Sequence, residues 1–306
     1  MGAPGRPRPL EAWEGDAPTA EPSDEEVVPS FEEMLAAPRR DASADSIEAV
    51  LFDLDNTLVD FLHVKRTASD ACARAMVAAG AEFGEPADKV GQMLFHHYLE
   101  HGIESDDAFQ TFLRRFQRNR LSYTQHQIDK VLAAGINAYL RTKDLLLSPY
   151  PGVHATLVAL VRRGYRLGVV TDAPRLKAWQ RLHAVGIADF FDVVVTRTDT
   201  GVEKPEGRAF LVALDALGLR PWQAAMVGDW AERDIAGGNR LGLYTVLAEY
   251  GHASREGLPP APVPAGVTAD ESVPNVRIDR VAALLDLFHA RDGRGDEAAE
   301  PNRDGS

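Results

Sequence analysis

Residues 50–60 read VLFDLDNTLVD, an apolar run that ends in two aspartates, Asp53 and Asp55, with one leucine between them. Two carboxylates this close repel each other unless a cation or a shared proton lies between them. Asp and Asn are also ordinary turn formers, so a surface turn is the plain alternative. The rest of the chain decides which reading holds.

Working outward, short and nearly all-apolar segments alternate with helical patterns. Segments 47–52, 165–171, 191–196, 224–227, 243–247 and 276–278 predict strands; 151–163, 176–185, 206–217, 235–241 and 281–289 predict helices. Apolar strands separated by helices predict an α/β fold, a doubly wound Rossmann-like parallel sheet covered on both faces. Residues 63–147 break the rhythm. Helical patterns at 65–79, 87–100, 108–118 and 124–140, with no strand among them, predict a small all-helical domain inserted after the first strand. The expected division is a core of 47–62 and 148–289, a helical unit of 63–147, and disordered tails at 1–46 and 290–306. Within the first tail, Ser30 and Glu33 have capping-box spacing, which allows a short docking helix or only a passing turn.

Composition narrows the class. The 306 residues are 45% hydrophobic and 26% charged, as in soluble globular proteins. No run approaches the roughly 20 apolar residues of a membrane span. The first residues lack the apolar centre of a secretory signal, and Arg6 stands where myristoylation wants Ser or Thr. A single cysteine, Cys72, excludes an internal disulfide and a cysteine metal cluster. These features predict a cytoplasmic protein; monomer and homodimer are both compatible with them. The net charge of −13 sits mostly in the tails: residues 1–46 hold eleven acidic and four basic side chains, and residues 289–306 five and three. No basic stripe suggests a nucleic-acid partner.

Polar residues at the carboxyl ends of parallel strands are the ones to inspect, because open α/β sheets bind ligands there. The first strand ends in Asp53 and Asp55, and the second in Thr171-Asp172. Glu203-Lys204-Pro205 follows the third, and the fourth ends in Gly228-Asp229, with Asp234 five residues on. Taken singly each is an ordinary turn or loop. Together, each at its strand end, they describe one edge bearing carboxylates, a lysine and a hydroxyl.

In these residues the chain resembles the haloacid dehalogenase-like (HAD) superfamily, in its phosphatase branch with a helical C1-type cap. Asp53-Leu54-Asp55-Asn56-Thr57 matches the first motif, Thr171 the second, Lys204 the lysine, and Asp229 with Asp234 the closing acidic pair. The likeness runs from residue 47 to about 289. Asp172 departs from it, since many relatives carry Asn there, and its charge would be unwelcome if turned inward. The resemblance implies a Mg²⁺-dependent phosphohydrolase acting on a small soluble phosphorylated metabolite. Asp53 would form an aspartyl-phosphate, and Asp55 would serve as general acid and then base. Thr171, Lys204 and the backbone of Asp172 would hold the phosphoryl group. Asp53, Asp229 and the carbonyl of Asp55 would bind Mg²⁺, a hard cation suited to carboxylates and phosphate oxygens, with Asp234 in support.

Other readings stay open. A 2-haloacid dehalogenase of the same superfamily typically lacks the second aspartate of the first motif, and a phosphomutase shares all these residues. A non-catalytic protein binding partners through its acidic tails is a third. For substrate recognition the helical unit offers Arg114, Arg115, Arg118 and Arg120, and His63, Lys65 and Arg66 after the first motif; an arginine can grip a carboxylate or second phosphate bidentately. His96, His97 and His101 imitate a metal site, but helix packing is the expected role. Cys72 among alanines reads as core. Trp230 reads as packing beside Asp229.

Overall fold

The computed structural model describes residues 43–291 apart from 121–122, 256 and 259–261, with side chains at all of these except 116–120 and 254. The Ser30–Glu33 pattern, nearly all of both expected tails, and the side chains of Arg118 and Arg120 lie outside the described residues.

Six parallel strands form one sheet in the order β3-β2-β1-β4-β5-β6. They are β1 (Ala49–Phe52), β2 (Arg166–Thr171), β3 (Val193–Thr196), β4 (Ala224–Gly228), β5 (Tyr244–Ala248) and β6 (Val276–Ile278). The chain builds outward on one side of β1, then crosses to the other. The switch point therefore lies between β1 and β4, where a crevice opens at the strands' carboxyl ends.

The apolar runs explain themselves by strand alternation. Val50 and Phe52 face one layer, made by α5 (Val153–Arg162), α6 (Arg175–Ala184) and the C-terminal turns. Ala49 and Leu51 face the other, where α8 (Arg208–Leu217) presents Phe210 and Leu214. All four β1 side chains are buried. Between β3 and α8 lies the one-turn α7 (Arg197–Thr200).

Between β1 and β2 the chain forms four helices: α1 (Phe61–Ala78), α2 (Ala87–His101), α3 (Ala108–Arg120) and α4 (Gln125–Leu146). They enclose an apolar cluster separate from the two faces of the sheet, including Cys72, Met76, Leu94, Tyr98, Phe112 and Tyr139. A side chain at Gly135 would meet Met76 at 2.7 Å and the Cys72 Sγ at 2.9 Å, so this glycine sets how closely α4 approaches α1. His97 packs inside this unit, its Nε2 2.8 Å from the Thr111 Oγ1 and its ring on His101.

Two expectations need correction. The closing helix 281–289 is only a 3-10 turn (Val281–Ala283) and the single-turn α10 (Leu284–Leu287). Its carbonyls have tertiary partners instead: Arg163 donates to Leu285 and Phe288, and the Tyr165 hydroxyl donates to His289. In the second case, helix 235–241 begins earlier, with a π turn at Ala231–Ile235 before α9 (Ala236–Leu241).

Candidate active site

The β1 ladder continues one residue beyond the strand, the Asp53 N–H donating to the Val227 carbonyl at 2.8 Å. This holds Asp53 between β1 and β4 at the switch point. The chain then turns at Asn56, whose φ of 65° lies in the left-handed region that Asn tolerates better than most residues. The Asn56 side chain accepts from the Leu62 N–H at 3.0 Å, tying the turn to the start of α1.

Lys204 reaches into the cluster from the loop after β3. Its ammonium lies 2.5 Å from Asp53 Oδ1, 2.6 Å from Asp234 Oδ1 and 2.9 Å from the Val170 carbonyl. Asp53, Asp229 and Asp234 are all buried, and their carboxylates each offer an oxygen within 4.8 Å of the others. The π turn after β4 accounts for Asp234, whose Oδ2 accepts the Trp230 N–H at 2.9 Å. A Cβ on Gly228 would fall 2.3 Å from the Asp234 carboxyl, so only glycine fits there.

Three buried carboxylates face one lysine. Burial pushes Asp53 well above the usual carboxylate range; Lys204 opposes this, while Asp234, Asp229 and Asp55 add to it. Asp229 is pushed up to about 7 by burial and by Asp234. Burial works against the charge on Lys204, but Asp234 and Asp53 hold its pKa above the ordinary value. Asp229 Oδ2 is buried with no hydrogen-bond partner. An excess of buried negative charge with an unsatisfied oxygen fits a hard divalent cation, which all-carboxylate donors suit.

Asp55 stands apart from this cluster and faces the helices. Its Oδ2 accepts from Arg181 at 2.6 Å, while Oδ1 is buried without a partner. Burial raises its pKa to about 6, with Arg181 pulling the other way. Arg181 is itself buried, lies over the Phe61 ring at 4.0 Å, and pairs with Glu104 in the α2–α3 loop. Glu104 also pairs with Lys177 at 3.5 Å. Despite its burial, Arg181 and then Lys65 and Lys177 hold Glu104 below its ordinary value.

Thr171 is buried at the end of β2, accepting from the Ala173 N–H. Asp172 turns its carboxylate to the Lys204 backbone N–H at 2.9 Å and to Arg233 at 3.1 Å. Its charge is thus matched by a guanidinium, and the side chain braces the lysine loop. Trp230 packs against Arg233 and Arg255, their guanidinium carbons 4.3 and 4.4 Å from its ring centres. Arg114 and Arg115 are exposed, Arg115 lying 3.9 Å from Glu100, and neither contacts the strand-end cluster among the described residues. His63 is exposed and Arg66 lies over Phe95, whereas Lys65 is buried near Asp55.

Sequence reasoning missed Arg181, Glu104 and Lys177. For Arg181 a signal existed: it shares the core-facing stripe of α6 with Ala178 and Leu182, and an arginine on a buried stripe demands an acidic partner. Glu104, in a loop, carries no comparable mark.

Residues 47–242 match the model of the haloacid dehalogenase-like hydrolases. The chain belongs to that family. Among curated HAD-like relatives, a glyceraldehyde 3-phosphate phosphatase of Methanopyrus kandleri is 35% identical, over 79% of this chain and 97% of its own. A phosphoglycolate phosphatase of Cupriavidus necator is 30% identical, over 78% of this chain and 92% of its own. Among solved structures, a HAD phosphatase from Thermococcus onnurineus has the same fold, with a TM-score of 0.53 at 24% identity over 79% of this chain and 97% of that one. With these relatives, this HAD-like chain is a phosphoric monoester hydrolase.

Proposed function

We propose that the chain hydrolyses a small phosphorylated metabolite through an aspartyl-phosphate on Asp53, with Asp55 as general acid and base. The observation that carries this reading is the division between the two aspartates. Asp53 sits in the buried acidic cluster against Lys204. Asp55, two residues on, has an unpartnered oxygen and a pKa of about 6, near the working range of a general acid.

Asp53, Asp229 and the Asp55 backbone carbonyl would hold Mg²⁺, with Asp234 in support; when bound, the ion offsets the negative charge of nucleophile and phosphate. Lys204 fixes the Asp53 carboxylate through Oδ1 and would share its protons with the phosphoryl oxygens, together with Thr171 and the Asp172 N–H. An Asp53 oxygen bonds to phosphorus as the ester P–O bond breaks, and the leaving alcohol takes the proton of Asp55. Asp55 then removes a proton from water as its oxygen attacks phosphorus. The P–O bond to Asp53 breaks, releasing inorganic phosphate and restoring the carboxylate.

Residues 63–147 act in this reading as a cap over 47–62 and 148–289, limiting entry to small esters and excluding water. Glyceraldehyde 3-phosphate and phosphoglycolate, named for the relatives, are the first candidates. The lone, buried Cys72 and the absence among the described residues of a helix long and apolar enough to cross a membrane agree with a cytoplasmic enzyme.

The test is release of inorganic phosphate from a monoester panel with Mg²⁺ or with EDTA, by wild type and Asp53→Asn. Turnover should require the metal and vanish in the variant. Undiminished turnover by Asp53→Asn would remove the covalent route.

A further inference from the structure

Lys65 is the one buried cation near the candidate site without a carboxylate of its own among the described residues. It lies one turn into α1, which follows the Asp53–Thr57 loop, and is only 6% exposed. Its ammonium sits 3.8 Å from the centre of the Tyr98 ring, 5.5 Å from Tyr139 and 5.7 Å from Phe61. The neighbouring acid, Glu104, is already engaged by Arg181 and Lys177. Aromatic faces attract a cation, but they do not replace the water and counter-ion that burial removes. The consequence is a pKa lowered to about 7, chiefly by burial, with Glu104 opposing and Arg181 and Lys177 adding to the fall.

The same place holds a second unsatisfied group. Phe61 lies under both Lys65 and the Arg181 guanidinium, and Arg181 holds Asp55. Asp55 Oδ1 is buried with no hydrogen-bond partner. An unmatched cation and an acid oxygen without a partner thus share the same neighbours, Phe61 and Arg181.

The charges select what binds beside them. Arg181 and Lys177 are paired with Asp55, Glu104 and Asp106, whereas the Lys65 ammonium has no carboxylate at ion-pair distance among the described residues and leaves one positive charge unmatched. A single carboxylate cancels that charge. An aldehyde or hydroxyl leaves the ammonium unmatched, and a second phosphate dianion overshoots beside Glu104.

We propose, resting on the phosphatase reading above, that Lys65 is a specificity residue selecting short phosphorylated carboxylic acids. It grips the carboxylate of the leaving group while Asp55 faces the ester oxygen. The two-carbon acid 2-phosphoglycolate is the probe, and 2-hydroxyethyl phosphate, which has a CH₂OH in place of the carboxylate, is its neutral counterpart.

The experiment measures kcat/KM in Mg²⁺ for both esters and for p-nitrophenyl phosphate, with wild type, Lys65→Met and Lys65→Arg. Wild type should favour 2-phosphoglycolate over 2-hydroxyethyl phosphate by about 10-fold or more, the worth of a charge-assisted hydrogen bond. Lys65→Met should abolish this preference, mainly through KM, while p-nitrophenyl phosphate turnover stays within about threefold. Lys65→Arg, which keeps the cation, should retain part of the preference. The proposal is overturned if wild type treats the two esters alike or prefers the neutral one, a result that needs no variant to fold. It is also overturned if Lys65→Met loses activity equally on all three esters. If wild type hydrolyses none of them, the phosphatase reading falls first and takes this one with it.

Discussion

Asp53 and Asp55 are two residues apart, yet they have different surroundings. Asp53 meets a lysine and two further carboxylates; Asp55 meets an arginine and the helices. Arg181 stabilises the charged form of Asp55 and so limits how far burial raises its pKa above the ordinary value. Replacing Arg181 by Gln removes that restraint, so Asp55 keeps its proton to higher pH. In the proposed mechanism the acid form protonates the leaving alkoxide. The alkaline limb of the kcat/KM profile on 2-hydroxyethyl phosphate should therefore move to higher pH in Arg181→Gln. An unmoved limb would mean that Arg181 does not face the acid. The same change strips Glu104 and Asp55 of a shared buried partner and should lower stability by about 3 kcal/mol in urea unfolding.

The turn after β4 shows what one element does for the cluster. Its π geometry brings Asp234 back under Gly228, close enough that a single methyl group there collides with the carboxyl. Gly228→Ala should displace Asp234 and with it Lys204, lowering kcat on the order of 10²-fold, the cost of about 1 Å of misplacement. Near-wild-type kcat in this variant would show that Asp234 need not stay where it lies. Much of this arrangement was readable beforehand and some was not, for definite reasons. Apolar runs of strand length ending in carboxylates are a local pattern, and they marked Asp53, Asp55 and Asp229. The π turn left no trace because AERDI is equally good α-helix. Helix α10 stops short because Arg163, more than a hundred residues away, competes for its carbonyls. Arg181, Glu104 and Lys177 meet only through the packing of the helical unit on the core, and separations of 73 and 77 residues are invisible to any periodicity.

Across the whole molecule, the sheet order places β1 between β2 and β4, so the ends of three adjacent strands bring together the proposed nucleophile Asp53, the Thr171 hydroxyl and the Asp229–Asp234 pair. Their shared burden is excess negative charge. Millimolar Mg²⁺ should raise the unfolding midpoint of the full chain, because a ligand that binds only the folded state stabilises it. Asp229→Asn should lose that rise and need less of it, since one of the crowded carboxylates is gone. A midpoint unchanged by Mg²⁺ in wild type would argue against a cation among Asp53, Asp229 and Asp234. The helical unit is fastened to the core by Glu104 across to Arg181 and Lys177, so the acid of the candidate site and the contact joining the two parts share one guanidinium.

Lys204 already donates to Asp53 and to the Val170 carbonyl, and its ammonium lies 2.6 Å from the Asp234 carboxylate. A phosphoryl oxygen arriving there competes with these oxygens for the same protons. The gain is the difference between two hydrogen bonds, smaller than one bond made afresh. Inorganic phosphate presents the same oxygens and inherits the same discount. An enzyme built this way holds its product loosely, and accumulating phosphate should be a feeble brake on its turnover.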